Sequence, residues 1–215
     1  MWLMPFGQDS PEERERMRRF RRRTSVPPNE VGAPVPLEPF IARSADAAVV
    51  LERATVYSTG VVLHLRRVLR LEPDPMLRSP GFPGGDLLLG VTLADGRTAS
   101  TVRSFPPIAP DLDAGPDDPG LSMIQGSSSG TQSSHDFLLY PVPPDGPVTL
   151  VLASPEVGIA ETTVVLDGSM LQDACSRIQV LWPRTDDDDL PRRPPPRRPD
   201  LPPGGWFERN AGPPG

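Results

Sequence analysis

The fold of this chain is decided by residues 47–70, which read AAVVLERATVYSTGVVLHLRRVLR. Two sets of side chains alternate along the second half of this stretch: Val61, Leu63 and Leu65 form one set, and Val62, His64 and Arg66 form the other. A period of two places these sets on opposite faces of a β-strand. Residues 57–60, Tyr-Ser-Thr-Gly, indicate a turn, in which Gly60 can take the positive φ that a tight turn often needs. The stretch therefore predicts a β-hairpin in a sheet that packs against a second layer.

Further short apolar segments favour strands, and one longer segment favours a helix. The other strands are expected at residues 37–43, 87–93, 98–103, 136–142, 148–153 and 161–166. Asp95-Gly96 is a hairpin turn signal, and Asp167 caps a final helix that runs from residue 168 to about residue 181. We therefore predict a mainly β protein: an antiparallel immunoglobulin-like β-sandwich of about seven strands with one C-terminal helix. The helices between strands that a Rossmann or α/β-barrel fold requires are missing from the pattern.

Proline and glycine divide the chain into a middle and two tails. The 215 residues include 31 prolines and 19 glycines, which are concentrated towards the ends and in two loops. We predict a disordered arginine-rich arm with a short helix (1–34), the β-sandwich with its helix (35–183) and a disordered proline-rich tail (184–215). Inside the middle, residues 105–134 are expected to form a mobile polar loop. Deleting residues 1–28 or 185–215 should then change the melting temperature by only a few degrees.

Charge and cysteine content limit the functions open to the chain. The net charge is −6, and all 22 basic residues are arginine. Because the middle is acidic, nucleic-acid binding is disfavoured and would depend on the arm alone. Cys175 is the only cysteine, which excludes an intramolecular disulfide and a cysteine-rich zinc site. The first residues do not resemble a signal peptide, and no apolar run approaches about 18 residues, so we expect a cytoplasmic protein without a transmembrane segment.

Four features of the middle suggest chemistry, and each has a simpler structural explanation. Residues 126–130, Gly-Ser-Ser-Ser-Gly, match a serine-hydrolase pattern, but they lack the flanking strand and helix of a nucleophile elbow. An acidic set lacks the distal glutamate of a calcium loop: Asp111, Asp113, Asp117 and Asp118. His64 and His135 make a weak metal site without cysteine partners, and Cys175 lies in an apolar helical stripe. We therefore predict no catalytic residue, no metal ligand and no cofactor.

The residues that favour partner binding lie in the two tails. Residues 14–23 hold seven arginines and one glutamate, in a helix signalled by Ser10 and Pro11. Residues 191–203 favour the polyproline II conformation, which aromatic-lined grooves bind. Two aromatic residues follow in a glycine- and proline-rich end. The candidate partner-binding residues are therefore Arg14, Arg18, Arg19, Arg21, Arg22, Arg23, Trp206 and Phe207.

The middle resembles a group of proteins of unknown function from high-GC actinobacteria. Five pieces carry the resemblance: Ala42-Arg43-Ser44, the apolar run 49–51, the turn 57–60 leading into 61–65, Asp95-Gly96-Arg97, and Leu181-Trp182-Pro183. These pieces are turns and core positions, and the resemblance covers residues 35–183. It implies the fold and the source class, and no activity.

One leading hypothesis and two alternatives follow. The leading hypothesis is a non-enzymatic β-sandwich module that binds a protein partner, with the tails as adaptors. The first alternative is a small-ligand binder or an enzyme whose pocket lies under residues 105–134. The second alternative is binding of RNA or an anionic membrane through residues 14–23, which would weaken steeply with salt.

Overall fold

The computed structural model describes residues 10–72, 87–104, 115 and 117–183. In this part the chain is mainly β, with antiparallel sheets and two α-helices. The elements are, in chain order, α1 (Pro11–Thr24), β1 (Glu30–Val31), β2 (Ala33–Arg43), β3 (Ala47–Tyr57), β4 (Gly60–Leu69), β5 (Leu88–Thr92), β6 (Thr98–Ser100), β7 (Gly120–Ser129), β8 (Gln132–Tyr140), β9 (Pro147–Ser154), β10 (Ile159–Asp167), α2 (Gly168–Cys175) and β11 (Gln179–Val180).

Two larger sheets and one strand pair organise these strands. The first sheet has the order β2-β3-β4-β8-β7, and the second has the order β10-β9-β5-β6. β1 pairs separately with β11. The chain makes a three-stranded meander from β2 to β4 and then crosses between the two sheets three times, forming one hairpin at each visit. Each hairpin is antiparallel, as short connections between consecutive strands require.

The predicted hairpin is present as β3 and β4. Val56 lies opposite Val61, and Leu51 lies opposite Leu65. The positive φ expected for Gly60 is not observed. A Cβ atom at this position would instead lie 2.4 Å from the carbonyl oxygen of Leu139. Glycine is therefore required here because β8 approaches closely, and not because the turn is left-handed.

The apolar faces of the two sheets share one buried cluster. Val49, Leu63 and Phe137 contribute from the first sheet, and Leu89 and Leu150 contribute from the second. From α2, the buried side chains of Leu171 and Ala174 join the same cluster. The predicted alternation is thus confirmed for β4, whose residues 61, 63 and 65 all belong to this core.

The predicted loop at 105–134 is wrong for its second half. Residues 120–129 form β7 and residues 132–134 begin β8, so both lie in the first sheet. Serine and glycine have low strand propensity, but β7 is an edge strand whose backbone pairs with β8. Pairing with a formed neighbour overrides that propensity. Residues 105–114 and 116 lie outside the described residues.

The C-terminal helix is shorter than predicted. Asp167 caps it as expected, because its carboxylate accepts a hydrogen bond of 2.9 Å from the backbone N–H of Ser169. The helix ends at Cys175, whereas the apolar spacing predicted an end near residue 181. Residues 179–180 form β11 instead, and the N–H of Leu181 donates to the carbonyl oxygen of Asn29. A strand partner that is distant in sequence therefore replaces the last predicted turns.

Candidate functional site

The first sheet is buried on both faces around Val62 and Leu138. These neighbouring residues of β4 and β8 are 3% and 0% exposed, and they lie opposite each other in register. Neither belongs to the cluster between the two sheets. The alternation of side chains places them on the opposite face from Leu63 and Leu139, which do belong to it. The outer face therefore has an apolar area of its own, from which water is excluded.

The segment formed by residues 10–32 lies on this outer face. α1 contacts β7 and β8. Further along, the carboxylate of Glu30 accepts a 2.9 Å hydrogen bond from the N–H of Ser58, in the turn between β3 and β4. A Cβ atom at Gly32 would lie 2.6 Å from side-chain atoms of both Thr55 and Tyr57. The segment is therefore packed against the sheet, and the expected domain boundary at residue 35 falls inside β2.

Arg23 fixes the C-terminal end of α1 to the first sheet. Its Nη1 donates a 2.8 Å hydrogen bond to the carbonyl oxygen of Gly115. Its guanidinium carbon lies 5.3 Å from the centroid of the Tyr140 ring, a geometry that allows a cation–π interaction. A second connection follows the helix, because the Asn29 side chain donates to the carbonyl oxygen of Trp182 at 2.8 Å. Both connections join parts of the chain that are far apart in sequence.

Other arginines of α1 carry exposed charges. Arg16, Arg19 and Arg22 follow each other at three-residue steps, which places them on one stripe, and all three are exposed. Only Arg19 of these has a described ion pair, at 3.4 Å from Glu15, and exposed pairs of this kind are weak. Glu12 and Glu15 are exposed at the N-terminal end of the same helix. The exposed surface of α1 therefore carries mixed charge, which becomes positive towards the C-terminal end of the helix.

The structure divides the predicted partner-binding residues into groups. Arg19 and Arg22 are on the exposed stripe, Arg18 and Arg21 are half-buried, and Arg23 contacts Gly115 and the Tyr140 ring of β8. Arg14 lies in α1, but its side chain is outside the described part. The remaining predicted features lie outside the described residues altogether: Trp206, Phe207 and the proline-rich stretch 191–203. Sequence analysis did not select Arg16, although its three-residue spacing from Arg19 and Arg22 was visible.

We expect Arg23→Ala to lower the free energy of unfolding by about 2 kcal/mol. The variant loses a charge-assisted hydrogen bond and an interaction with an aromatic face. The adjacent Arg22→Ala is the matched control and should stay within about 0.5 kcal/mol of the parent, because Arg22 is exposed. Urea denaturation of both variants measures the difference. Equal stability losses would contradict the anchoring role of Arg23.

The acidic set and the Gly-Ser-Ser-Ser-Gly motif have structural roles where they are described. The Asp118 carboxylate accepts a 2.7 Å hydrogen bond from the N–H of Gly115, while Asp111 and Asp113 lie outside the described residues. In that described part, no group of three or more histidine, cysteine, aspartate or glutamate residues could hold a metal ion. Residues 126–129 belong to β7 and continue into the turn to β8, so the strand-to-helix turn of a hydrolase elbow is not formed.

Cys175 is half-buried at the end of α2. Its side chain packs against the core cluster, and its Sγ lies 3.6 Å from the carbonyl oxygen of Leu171. Burial raises the pKa of the thiol, which disfavours the reactive thiolate. This agrees with the expectation of a small apolar residue.

The two histidines occupy opposite faces of the first sheet. His135 was expected to precede a strand, but it lies inside β8, is fully buried, and its Nε2 is 2.9 Å from the hydroxyl of Ser133. His64 points to the outer face, as its alternation predicted. There its Nδ1 lies 2.8 Å from a carboxylate oxygen of Asp136, and its Nε2 lies 2.9 Å from the hydroxyl of Thr55.

Sequence analysis did not connect Thr55 and Asp136 with His64. The three residues stand on β3, β8 and β4, respectively, which are neighbours in the first sheet. Tyr57 lies two residues beyond Thr55, on the same face of β3. Burial, with the negative charges of Asp136 and Glu30, raises the pKa of Tyr57, so its phenol remains a hydrogen-bond donor at neutral pH. The outer face therefore carries a hydroxyl, an imidazole, a carboxylate and a phenol within a small area.

In the described part, no helix, α1 and α2 included, is long and apolar enough to cross a membrane. Comparison of the chain with protein-family models, curated proteins and solved structures finds no match.

Proposed function

We propose that this protein is an interaction module whose docked helix α1 presents Arg16, Arg19 and Arg22 to an acidic segment of a protein partner. One observation carries this proposal: Arg23 is held by Gly115 and Tyr140, while the three arginines of the stripe remain exposed. A helix that is already fixed to a sheet loses little further conformational freedom when it binds. The arginines are therefore displayed on a prepared surface.

The scaffold is proposed to be an antiparallel β-sandwich of the immunoglobulin-like kind. Two sheets that share one apolar cluster support this architecture. The strand order differs from that of immunoglobulin constant domains, where the third strand lies in the opposite sheet, because here β2, β3 and β4 are adjacent. The proposed likeness therefore concerns the two-layer packing and not the exact topology.

An acidic protein segment suits the stripe better than RNA or an anionic membrane. Arg16 and Arg22 are six residues apart, so they span about 9 Å along the helix, which matches a few carboxylates. A long polyanion would also meet the exposed Glu12 and Glu15 on the same helix and an overall net charge of −6. Guanidinium groups bind carboxylates through two parallel hydrogen bonds, which adds specificity.

The test uses a fluorescent peptide of alternating glutamate and serine, titrated with the full-length protein. We expect the triple variant Arg16→Glu, Arg19→Glu, Arg22→Glu to weaken binding by at least about tenfold, because three ion pairs become repulsive contacts. The matched control reverses three other exposed arginines, Arg43, Arg53 and Arg177, and should bind within about twofold of the parent. The same peptide with glutamine in place of glutamate should not bind.

Three outcomes decide against this function. If both triple variants weaken binding equally, the interaction follows net charge alone. If an oligoribonucleotide binds more tightly than the acidic peptide and only the α1 variant loses it, the RNA alternative replaces the protein partner. If vesicles containing phosphatidylserine bind more tightly than the acidic peptide and only the α1 variant loses this binding, the membrane alternative replaces the protein partner. The pocket proposed under residues 105–134 stays a prediction, because residues 105–114 and 116 of that stretch lie outside the described part.

A further inference from the structure

Thr55, His64 and Asp136 form a continuous chain of hydrogen bonds across three neighbouring strands. The Thr55 Oγ1 and His64 Nε2 are 2.9 Å apart, and His64 Nδ1 and Asp136 Oδ1 are 2.8 Å apart. The His64 and Asp136 side chains remain 16% and 25% exposed, and Thr55 is half-buried, so the three hydrogen-bonded residues are in part exposed to solvent. Register places His64 directly opposite Asp136, which fixes their relative position.

The carboxylate determines which nitrogen of His64 carries the proton. An ionised Asp136 can only accept hydrogen bonds, so it selects the tautomer in which Nδ1–H donates to it. Nε2 then holds the lone pair and accepts the hydrogen bond from the Thr55 hydroxyl. This polarises the O–H bond of Thr55 in the direction that proton removal requires.

We propose that Thr55 is a nucleophile toward small activated esters, with His64 as its general base and Asp136 as the positioning residue. The order hydroxyl, imidazole, carboxylate is the arrangement found on several unrelated hydrolase folds, where geometry and not sequence position identifies it. A threonine hydroxyl can serve as such a nucleophile when a base adjoins it. This activity is independent of the arginine stripe on α1.

The surroundings restrict the acyl group to a small one. A Cβ atom at Gly32, between β1 and β2, would lie 2.6 Å from Thr55 Cγ2, so the Thr55 side chain has little space on this side. Tyr57 lies on the same face of β3, and its phenol, whose pKa burial raises, stays protonated and could stabilise a developing oxyanion. An acetyl ester therefore suits the site better than a long-chain ester.

The reaction balances without any co-reactant other than water. The Thr55 Oγ1 attacks the ester carbonyl carbon while His64 Nε2 takes the hydroxyl proton. The tetrahedral intermediate expels the alkoxide, which receives that proton from Nε2 and leaves as an alcohol. Water, deprotonated by Nε2, then attacks the threonine ester, and the carboxylic acid is released. The Thr55 alkoxide takes the proton back from Nε2, which restores the free hydroxyl. The net reaction is ester plus water to acid plus alcohol.

The test incubates the full-length protein with p-nitrophenyl acetate and follows nitrophenolate release and peptide masses. We expect one acetyl group on the peptide that contains Thr55. Thr55→Val should lower the release rate by about 100-fold, and His64→Gln should lower it by a similar factor. Thr55→Ser keeps the hydroxyl and should still be acetylated. Thr162→Val, on β10, is the matched control and should leave the rate unchanged, because Thr162 bonds only locally.

Two readouts separate catalysis from a structural hydrogen-bond network. The chain has two histidines, and His135 is fully buried, so imidazole-only hydrolysis would come from His64 and would persist in Thr55→Val. Persistence of the rate in a folded Thr55→Val protein would overturn the proposal. The absence of an acetyl group at position 55, both in the parent and in Thr55→Ser, would also overturn it. For Asp136→Asn, we expect the nitrogen chemical shifts of His64 to report the other tautomer, with acetylation lost. An unchanged tautomer would overturn the positioning role.

Discussion

A chain that begins at residue 32 is expected to melt about 10 °C below the full-length protein. The deletion uncovers Val62 and Leu138, whose burial is worth about 3–6 kcal/mol. The cost of ordering the N-terminal segment offsets part of this gain, so we expect a net loss of about 3 kcal/mol, which for a chain of this size corresponds to the stated shift. Differential scanning calorimetry provides the measurement. This expectation reverses the one drawn from the sequence, in which the arm contributed little.

The matched control keeps the segment and changes only its outward side. The variant Arg16→Ala, Arg19→Ala, Arg22→Ala alters exposed residues and should melt within a few degrees of the parent. A truncated chain that melts together with the full-length protein would show that the outer face of the first sheet is stable without α1 and β1. The account of a docked segment would then be wrong.

The second large effect is expected for Leu138→Ala. This variant should differ from Leu139→Ala in the part of the protein that it destabilises. Both residues are buried, at 0% and 1% exposure, so replacement of either by alanine should cost about 3 kcal/mol. Leu139 belongs to the core between the sheets, whereas Leu138 lies on the outer face of β8, a strand that α1 contacts. Leu138→Ala should therefore speed hydrogen exchange in the amides of α1 relative to the rest of the protein. Leu139→Ala should leave this relative exchange rate as it is in the parent.

The truncated chain extends this comparison to a double-mutant cycle. Without residues 1–31, Leu138 is already in contact with water, so Leu138→Ala should cost less than about 1 kcal/mol there. Leu139→Ala should cost the same in both chains. Equal costs for Leu138→Ala in the long and short chains would mean that another part of the protein covers this side chain.

The sequence predicted the elements whose signals are local. β3 and β4 follow from a period of two and a turn at residues 57–60, and the start of α2 follows from the capping carboxylate of Asp167. The mainly β class follows from many such short signals. β7 was missed because its serine and glycine residues carry no strand pattern, and only pairing with β8 forms the strand.

The candidate sites depend on contacts that local patterns do not contain. Arg23 bonds to Gly115, which is 92 residues away, so its anchoring role differs from that of Arg22 only in the folded chain. His64 was correctly placed on the outward face, but Asp136 is 72 residues away and meets it through the register of β4 with β8. Register between non-consecutive strands is set by the packing of the whole sheet.

The most direct test of the docked helix is nuclear magnetic resonance on protein with labelled arginine and tyrosine side chains. The chain has two tyrosines, so Tyr140→Phe assigns the ring signals of both. The account predicts nuclear Overhauser effects between the Arg23 side chain and the Tyr140 ring, together with helical chemical shifts for residues 11–24. Random-coil shifts for those residues, with no effect between Arg23 and Tyr140, would contradict it.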